Sequence, residues 1–341
     1  MVRVRSTWIR GFVDYFDFSN GKKNIQTDSG LAKFHDAHQA GYKTIVNIKF
    51  DFSDLQFPPS GKPFPTTDTG IDAALSYLDT FLSAVYPDCD ILVVGNEPFI
   101  ESQTDDRGQA LVQFYEVAAA KVKAFQDTQR RKIPLYLGAY DSIWVADPWQ
   151  QQGAPLLEFT KETPWLQGAD LHIHQYEDAD IDEAFAFVEP KLRSDQKILV
   201  TEFSQVNYYK QYNSYFIPEI LITQYDRPDD WFVFNYLDSA LKSPVGLPEW
   251  IAFLQNSDWF ESTKHYLNVA WAKFNSHPKF AIATYGMYQS GPQTFTAGDQ
   301  PWILNALFVN QTVVPEPSTG GPQFNYTFAD DFLALQAGIS P

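Results

Sequence analysis

The sequence predicts a (β/α)8 barrel, and three observations predict it. Seven short apolar runs alternate with longer amphipathic stretches, two of the runs end in a glutamate, and 341 residues is the length of one large barrel domain. The runs cover 8–14, 44–50, 91–97, 134–140, 170–176, 198–203 and 280–287. Near-continuous apolar runs are expected of parallel strands buried on both faces, which intervening helices must cover.

The stretches between the runs carry helical spacing. In 69–86, Ile71, Leu75, Leu78 and Leu82 share one face, and in 109–126 so do Leu111, Phe114, Val117 and Val122. The long interruption 204–279 is rich in aromatics and contains helical pieces, so it reads as a large insertion over one end of the barrel. A helix is expected over 301–312, followed by a linker at 314–322, Val-Pro-Glu-Pro-Ser-Thr-Gly-Gly-Pro. Beyond it, 323–328 has a strand pattern and 329–338 begins acidic and stops at a glycine, as a helix would.

Composition narrows the function classes. With 25 Lys and Arg against 42 Asp and Glu, the net charge of -17 repels phosphate backbones and anionic lipid, so neither nucleic acid nor a membrane is expected as a partner. No apolar run approaches the roughly 20 residues that span a bilayer. The single cysteine, Cys89, reads as a small buried hydrophobe. Nine Trp and eighteen Tyr exceed what a core needs, and flat rings of this kind stack on sugar faces. Nothing in the sequence fixes an oligomeric state.

Chemistry concentrates at the ends of two runs. Ile91-Leu-Val-Val-Gly-Asn-Glu-Pro98 is a buried strand that ends in Asn96 and Glu97, with Pro98 stopping the ladder. Lys197-Ile-Leu-Val-Thr-Glu-Phe-Ser204 places Glu202 in the same way. Both acids would then stand at the mouth of one barrel, where active sites collect. Cleavage of a glycosidic bond with retention needs two carboxyl groups roughly 5 to 5.5 Å apart, one to protonate the leaving oxygen and one to attack the anomeric carbon.

With Gly95-Asn96-Glu97-Pro98 and Thr201-Glu202-Phe203 in place, the sequence resembles the clan A retaining glycoside hydrolases. In those enzymes the acid/base follows an Asn at the end of the fourth strand and the nucleophile ends the seventh. The resemblance implies Glu97 as acid/base, Glu202 as nucleophile, and Asn96 on the sugar 2-hydroxyl. Leu171-His-Ile-His-Gln-Tyr176 is similar to the family's sixth strand, which makes His174 and Tyr176 site residues, the phenol steadying the nucleophile. Trp8-Ile-Arg-Gly-Phe-Val-Asp14 resembles the second strand, whose arginine, here Arg10, keeps the nucleophile ionised. Lys49 stands where many members carry a histidine at the substrate, and Tyr285 or Tyr288 stands near the place of the family's sugar-stacking Trp. Trp residues of the insertion are alternatives for that platform. The implied reaction is hydrolysis of a β-linked oligo- or polysaccharide, such as a β-glucan or β-mannan, without cofactor or metal.

Counting from these motifs, only two strands precede Glu97, so the first strand is missing from the N-terminus. The tail at 323–341 offers one strand and one helix, and a circular permutation would place them as strand 1 and helix 1 of a single barrel spanning 1–341. Two other readings fit the same residues. One is a sugar-binding barrel without catalysis; the other is a metal-dependent hydrolase using His172 and His174. Asn310-Gln-Thr312 and Asn325-Tyr-Thr327 form glycosylation triplets.

Overall fold

A computed structural model of the chain describes residues 2–52, 64–103, 107–145 and 149–338. Seven strands form one sheet, β1 (Trp8–Asp14), β2 (Lys43–Lys49), β3 (Ile91–Val94), β4 (Leu135–Asp141), β5 (Leu166–His174), β6 (Lys197–Ser204) and β7 (Phe280–Ala283), in chain order and all parallel. Each expected run is a strand, displaced at its ends by a few residues.

Alternation along the strands divides the apolar residues into two layers. Ile45, Val93, Tyr136 and Leu199 pack together with Trp8, Ile91 and Ile282, one small cluster drawn from six strands. Their neighbours along the chain, such as Val46, Val94, Leu137 and Val200, belong to the main core under the helices. Side chains of the first set therefore fill the concave side of a curled sheet, and those of the second bind the outer layer.

That outer layer begins with α1 (Tyr15–Ser19), α2 (Ser29–Gln39), α3 (Asp68–Ala74), α4 (Leu78–Val85), α5 (Gln109–Thr128), α6 (Trp149–Glu162) and α7 (Asp180–Val188). The single helix expected over 69–86 is two. At the break, the Tyr15 hydroxyl donates to Ala74 O (2.9 Å) and accepts from Tyr77 N (3.2 Å), so a side chain from outside satisfies the interrupted backbone. Between β6 and β7 lie α8 (Val206–Lys210), α9 (Glu219–Tyr225), α10 (Val233–Lys242), α11 (Leu247–Gln255), α12 (Asp258–Glu261) and α13 (Tyr266–Ser276), which together make up the long interruption.

Two expectations beyond β7 are corrected. Instead of a helix over 301–312 there is a 3-10 turn at Trp302–Leu304 and then β8 (Phe308–Val309). Asn305 turns inward to accept from Gln205 N (2.9 Å), and the Phe308 ring stacks between Tyr288 and Phe324, contacts that a continuous helix could not provide. The tail is not a strand of the main sheet. β9 (Gln323–Phe324) pairs antiparallel with β8, and α14 (Phe328–Gln336) packs against α13. Asn325 anchors this arrangement: its Nδ2 donates to Leu304 O (3.2 Å) and Ala306 O (2.9 Å), while its Oδ1 accepts from Trp250 Nε1 (3.2 Å). The alternating rings of Phe324, Tyr326 and Phe328 suit this capping role as well as they suit a strand. Asn325 is buried and Asn310 exposed, so of the two glycosylation triplets only the latter is accessible.

Among the described residues, then, the ring is open between β1 and β7. A groove of about 640 Å³ occupies the opening, with Trp8 and Phe12 on one side and Ile282 and Ala283 on the other. Phe12 is exposed, and α2, the outer helix that follows β1, buries none of its residues fully.

Candidate active site

Three strands deliver polar side chains to the concave side by simple alternation. On β5, Asp170, His172 and His174 share one face, and Leu171 and Ile173 face the helices. Arg10 on β1 and Asn47 on β2 join them, and Arg10 Nε donates to Asn47 Oδ1 (3.0 Å). Asn47 Nδ2 donates to Asp170 Oδ2 (2.9 Å), and Asp170 Oδ1 accepts from Thr201 N (3.0 Å). This buried layer fixes the floor on which the acids stand.

The two glutamates need irregular backbone to reach the same space. The register of β5 and β6 shifts between Leu171 and His172, which pair with Val200 and Glu202, so Thr201 is an extra residue and both it and Glu202 approach the site. Glu97 adopts φ of 43°, in the left-handed region, and its N–H donates to Ala139 O (2.9 Å). Gly95, at φ of 119°, makes that turn possible, because a Cβ there would sit 2.6 Å from Gly138 O.

The result is a compact cluster. One carboxylate oxygen each from Glu97 and Glu202 and one ring nitrogen each from His172 and His174 all lie within 4.8 Å of one another. Arg10 Nη1 forms an ion pair with Glu202, and its Nη2 donates to Asn96 Oδ1 (2.6 Å) and lies 3.2 Å from His172 Nε2. His172 Nδ1 donates to Glu97 Oε1 (3.0 Å). His174 Nδ1 is 2.9 Å from Ser204 Oγ, and its buried Nε2, 3.7 Å from Glu97 Oε1 and 3.8 Å from Glu202 Oε2, has no hydrogen-bond partner.

Charges within the cluster set its protonation. Burial alone would raise the Glu97 carboxyl, but the hydrogen bond from His172 and the charge of the two nearby imidazoles outweigh it and hold the group well below the usual carboxylate range. For Glu202, burial is outweighed by His172 and Arg10, and it too is held down despite the like charge of Glu97. Burial disfavours a charged His174, yet Glu97, Asp141 and Glu202 favour it, and its pKa ends above the ordinary value. All three shifts favour a proton on the His174 imidazole over one on either carboxylate.

Of the residues singled out in the sequence, Glu97, Glu202, Asn96, Arg10 and His174 come together here. Lys49 does not touch the two acids; its Nζ pairs with Asp51 (3.1 Å) and with Glu101 (3.5 Å). Tyr176 is exposed, with its backbone N–H on Asp180 Oδ2 (2.6 Å), and among the described residues its phenol makes no hydrogen bond to Glu202. Tyr285 packs 5.1 Å from the Phe203 ring and 6.0 Å from Phe328, and it also lines the groove. The ring beside the acids is Trp302, edge-on to His174 at 4.9 Å, and it lines the groove with Phe12 and Tyr288. His172, named in the sequence only for the metal-dependent alternative, is a direct partner of Glu97. Asn47, Asp170 and Thr201 were legible as polar residues inside apolar strands; Glu101 gave no signal, since only the turn after Pro98 brings it back to Asn96.

Glu97, His172, His174 and Glu202 could in principle hold a metal ion. Arg10 already pairs with Glu202 and lies 3.2 Å from His172 Nε2, so its guanidinium supplies positive charge at that point.

No family model and no curated protein matches the sequence. Solved structures match the fold. A hyperthermophilic β-glucosidase from Pyrococcus furiosus superposes with a TM-score of 0.58 at 8% identity, covering 100% of this chain and 82% of that one. An endo-β-1,6-glucanase gives 0.52 at 11%, covering 100% and 70%. The GH53 catalytic domain of Ignisphaera aggregans gives 0.50 at 13%, covering 96% and 84%. The chain shares the fold of these structures, here with a curled parallel sheet of seven strands.

Proposed function

We propose that the chain is a retaining glycoside hydrolase of β-linked glycans, with Glu202 as nucleophile and Glu97 as acid/base. The observation that carries this reading is the carboxylate pair within 4.8 Å, close to the roughly 5 to 5.5 Å of retaining enzymes and too close for a water to stand between sugar and base as inversion requires. The partners of the two acids differ as their roles demand. Arg10 keeps Glu202 ionised, whereas Glu97 lies against two imidazoles that can pass a proton.

In the first displacement a Glu202 oxygen bonds to the anomeric carbon as the glycosidic bond breaks, and the departing oxygen takes a proton from Glu97. That proton reaches Glu97 from His174, the group that holds it in the resting site. Water then attacks the anomeric carbon, returns a proton through Glu97, and frees Glu202. Asn96 would hold the sugar 2-hydroxyl, and Trp302, Phe12 and Tyr288 would offer the ring faces of the groove.

Glu202→Gln tests the assignment. The amide is nearly isosteric and cannot form the ester, so turnover should fall by about 10⁴-fold or more with unchanged thermal melting. Activity near that of the unaltered chain would remove Glu202 as nucleophile. A metal-dependent hydrolase is the second reading, favoured by the four-ligand cluster. It requires bound metal on elemental analysis and loss of activity on chelation, neither of which the first reading expects.

A further inference from the structure

The side-chain amide of Asn96 is fixed from both ends. Arg10 Nη2 donates to Oδ1 at 2.6 Å, and Nδ2 donates to Glu101 Oε1 at 2.6 Å. A guanidinium can only donate and the carboxylate accepts, so the two contacts agree on which end of the amide is oxygen. One Nδ2 hydrogen is left over. Glu101 is itself held tightly for a residue in a turn: its N–H donates to Glu97 O (3.0 Å), Lys49 Nζ lies 3.5 Å from Oε1, and its side chain is buried. Its other oxygen has no hydrogen-bond partner among the described residues. Burial pushes the Glu101 carboxyl well above the ordinary carboxylate range, against the lowering by Lys49 and by its hydrogen bond from Asn96.

We propose that Glu101 is a positioning residue, which sets Asn96 as a hydrogen-bond donor toward the oxygen on C2 of a sugar bound at Glu202. The inference rests on the glycosidase reading. It also names a substrate class. A 2-hydroxyl can accept from the remaining N–H, whereas a 2-ammonium group can only donate and would meet the Arg10 guanidinium as a like charge, so the site selects 2-hydroxy sugars over sugars with a free 2-amine.

The test compares kcat/KM on the 4-nitrophenyl β-glycosides of glucose, galactose and mannose with that on the 2-deoxy counterpart of whichever is turned over. Glu101→Leu removes the acceptor and Glu101→Asp withdraws it by one methylene. Each should lose about 10²-fold on the 2-hydroxy substrate and little on the 2-deoxy one. Glu101→Gln, whose carbonyl can still accept from Asn96, should stay within about tenfold of the unaltered chain. In an Asn96→Ala background Glu101→Leu should cost nothing more, since the effect runs through the amide. Equal loss on both substrates, or additive losses in the double variant, would overturn the inference alone. If the unaltered chain turns over none of the glycosides, the glycosidase reading falls and this inference with it.

Discussion

His174 carries the site's proton inventory. Its Nε2 stands between the two carboxylates, and their charges raise its pKa against the burial that lowers it, while Glu97 and Glu202 are lowered in return. On the proposed mechanism, activity needs Glu202 ionised and one proton on the pair formed by Glu97 and His174. As pH falls through the lowered Glu202 value, below the ordinary carboxylate range, the nucleophile is protonated and kcat/KM drops. As pH rises through the raised His174 value, above roughly 6.5, the pair loses its proton and kcat/KM drops again. His174→Asn should move the alkaline limb to lower pH and leave the acidic limb nearly in place. A pH profile of kcat/KM for both proteins checks this, and an unmoved alkaline limb would take the proton away from His174.

At the scale of elements, the site depends on how closely β3 and β4 approach. Gly95 and Gly138 both adopt positive φ, and the carbonyl of one lies where the Cβ of the other would be. Gly95→Ala should therefore cost about 1 to 3 kcal/mol in backbone strain alone and displace Asn96 and Glu97, which follow it directly. Since a shift of about 1 Å in a reacting group costs about 10²-fold, activity should fall by that much or more, measurable as kcat/KM beside a chemical-denaturation midpoint. This also marks the limit of reading elements from sequence. The seven runs were legible because strands buried on both faces must be apolar, and His172 and His174, two apart, could be read as sharing one strand face. The bulge at Thr201, the left-handed turn at Glu97 and the helix break at Tyr77 were not, because each is decided by a partner distant in sequence: β5 for the bulge, Ala139 for the turn, Tyr15 for the break.

For the whole molecule, an open ring has a consequence that a closed one would lack. The tail's strand-like pattern could not reveal its pairing, because rings at 324, 326 and 328 serve equally well against β8, Phe260 and Tyr285 as they would in a barrel wall. With the tail on β8, β1 has a partner on one side only, β2, and β7 has only β6. In a parallel sheet the N–H groups of a strand point alternately to its two neighbours, so about half of those on each edge strand have no ladder partner. Native-state hydrogen exchange should then show a two-residue alternation over Trp8–Asp14 and again over Phe280–Ala283, fast amides interleaved with protected ones. Residues of β4 and β5, paired on both sides, should be protected throughout. Uniform protection along β1 and β7 would mean that a further strand lies between them in solution, and the groove beside Glu202 would then be filled rather than open to substrate. Alternating exchange would place the open edge and Glu202 in one continuous groove, as the lining by Arg10, Glu202 and Ile282 requires.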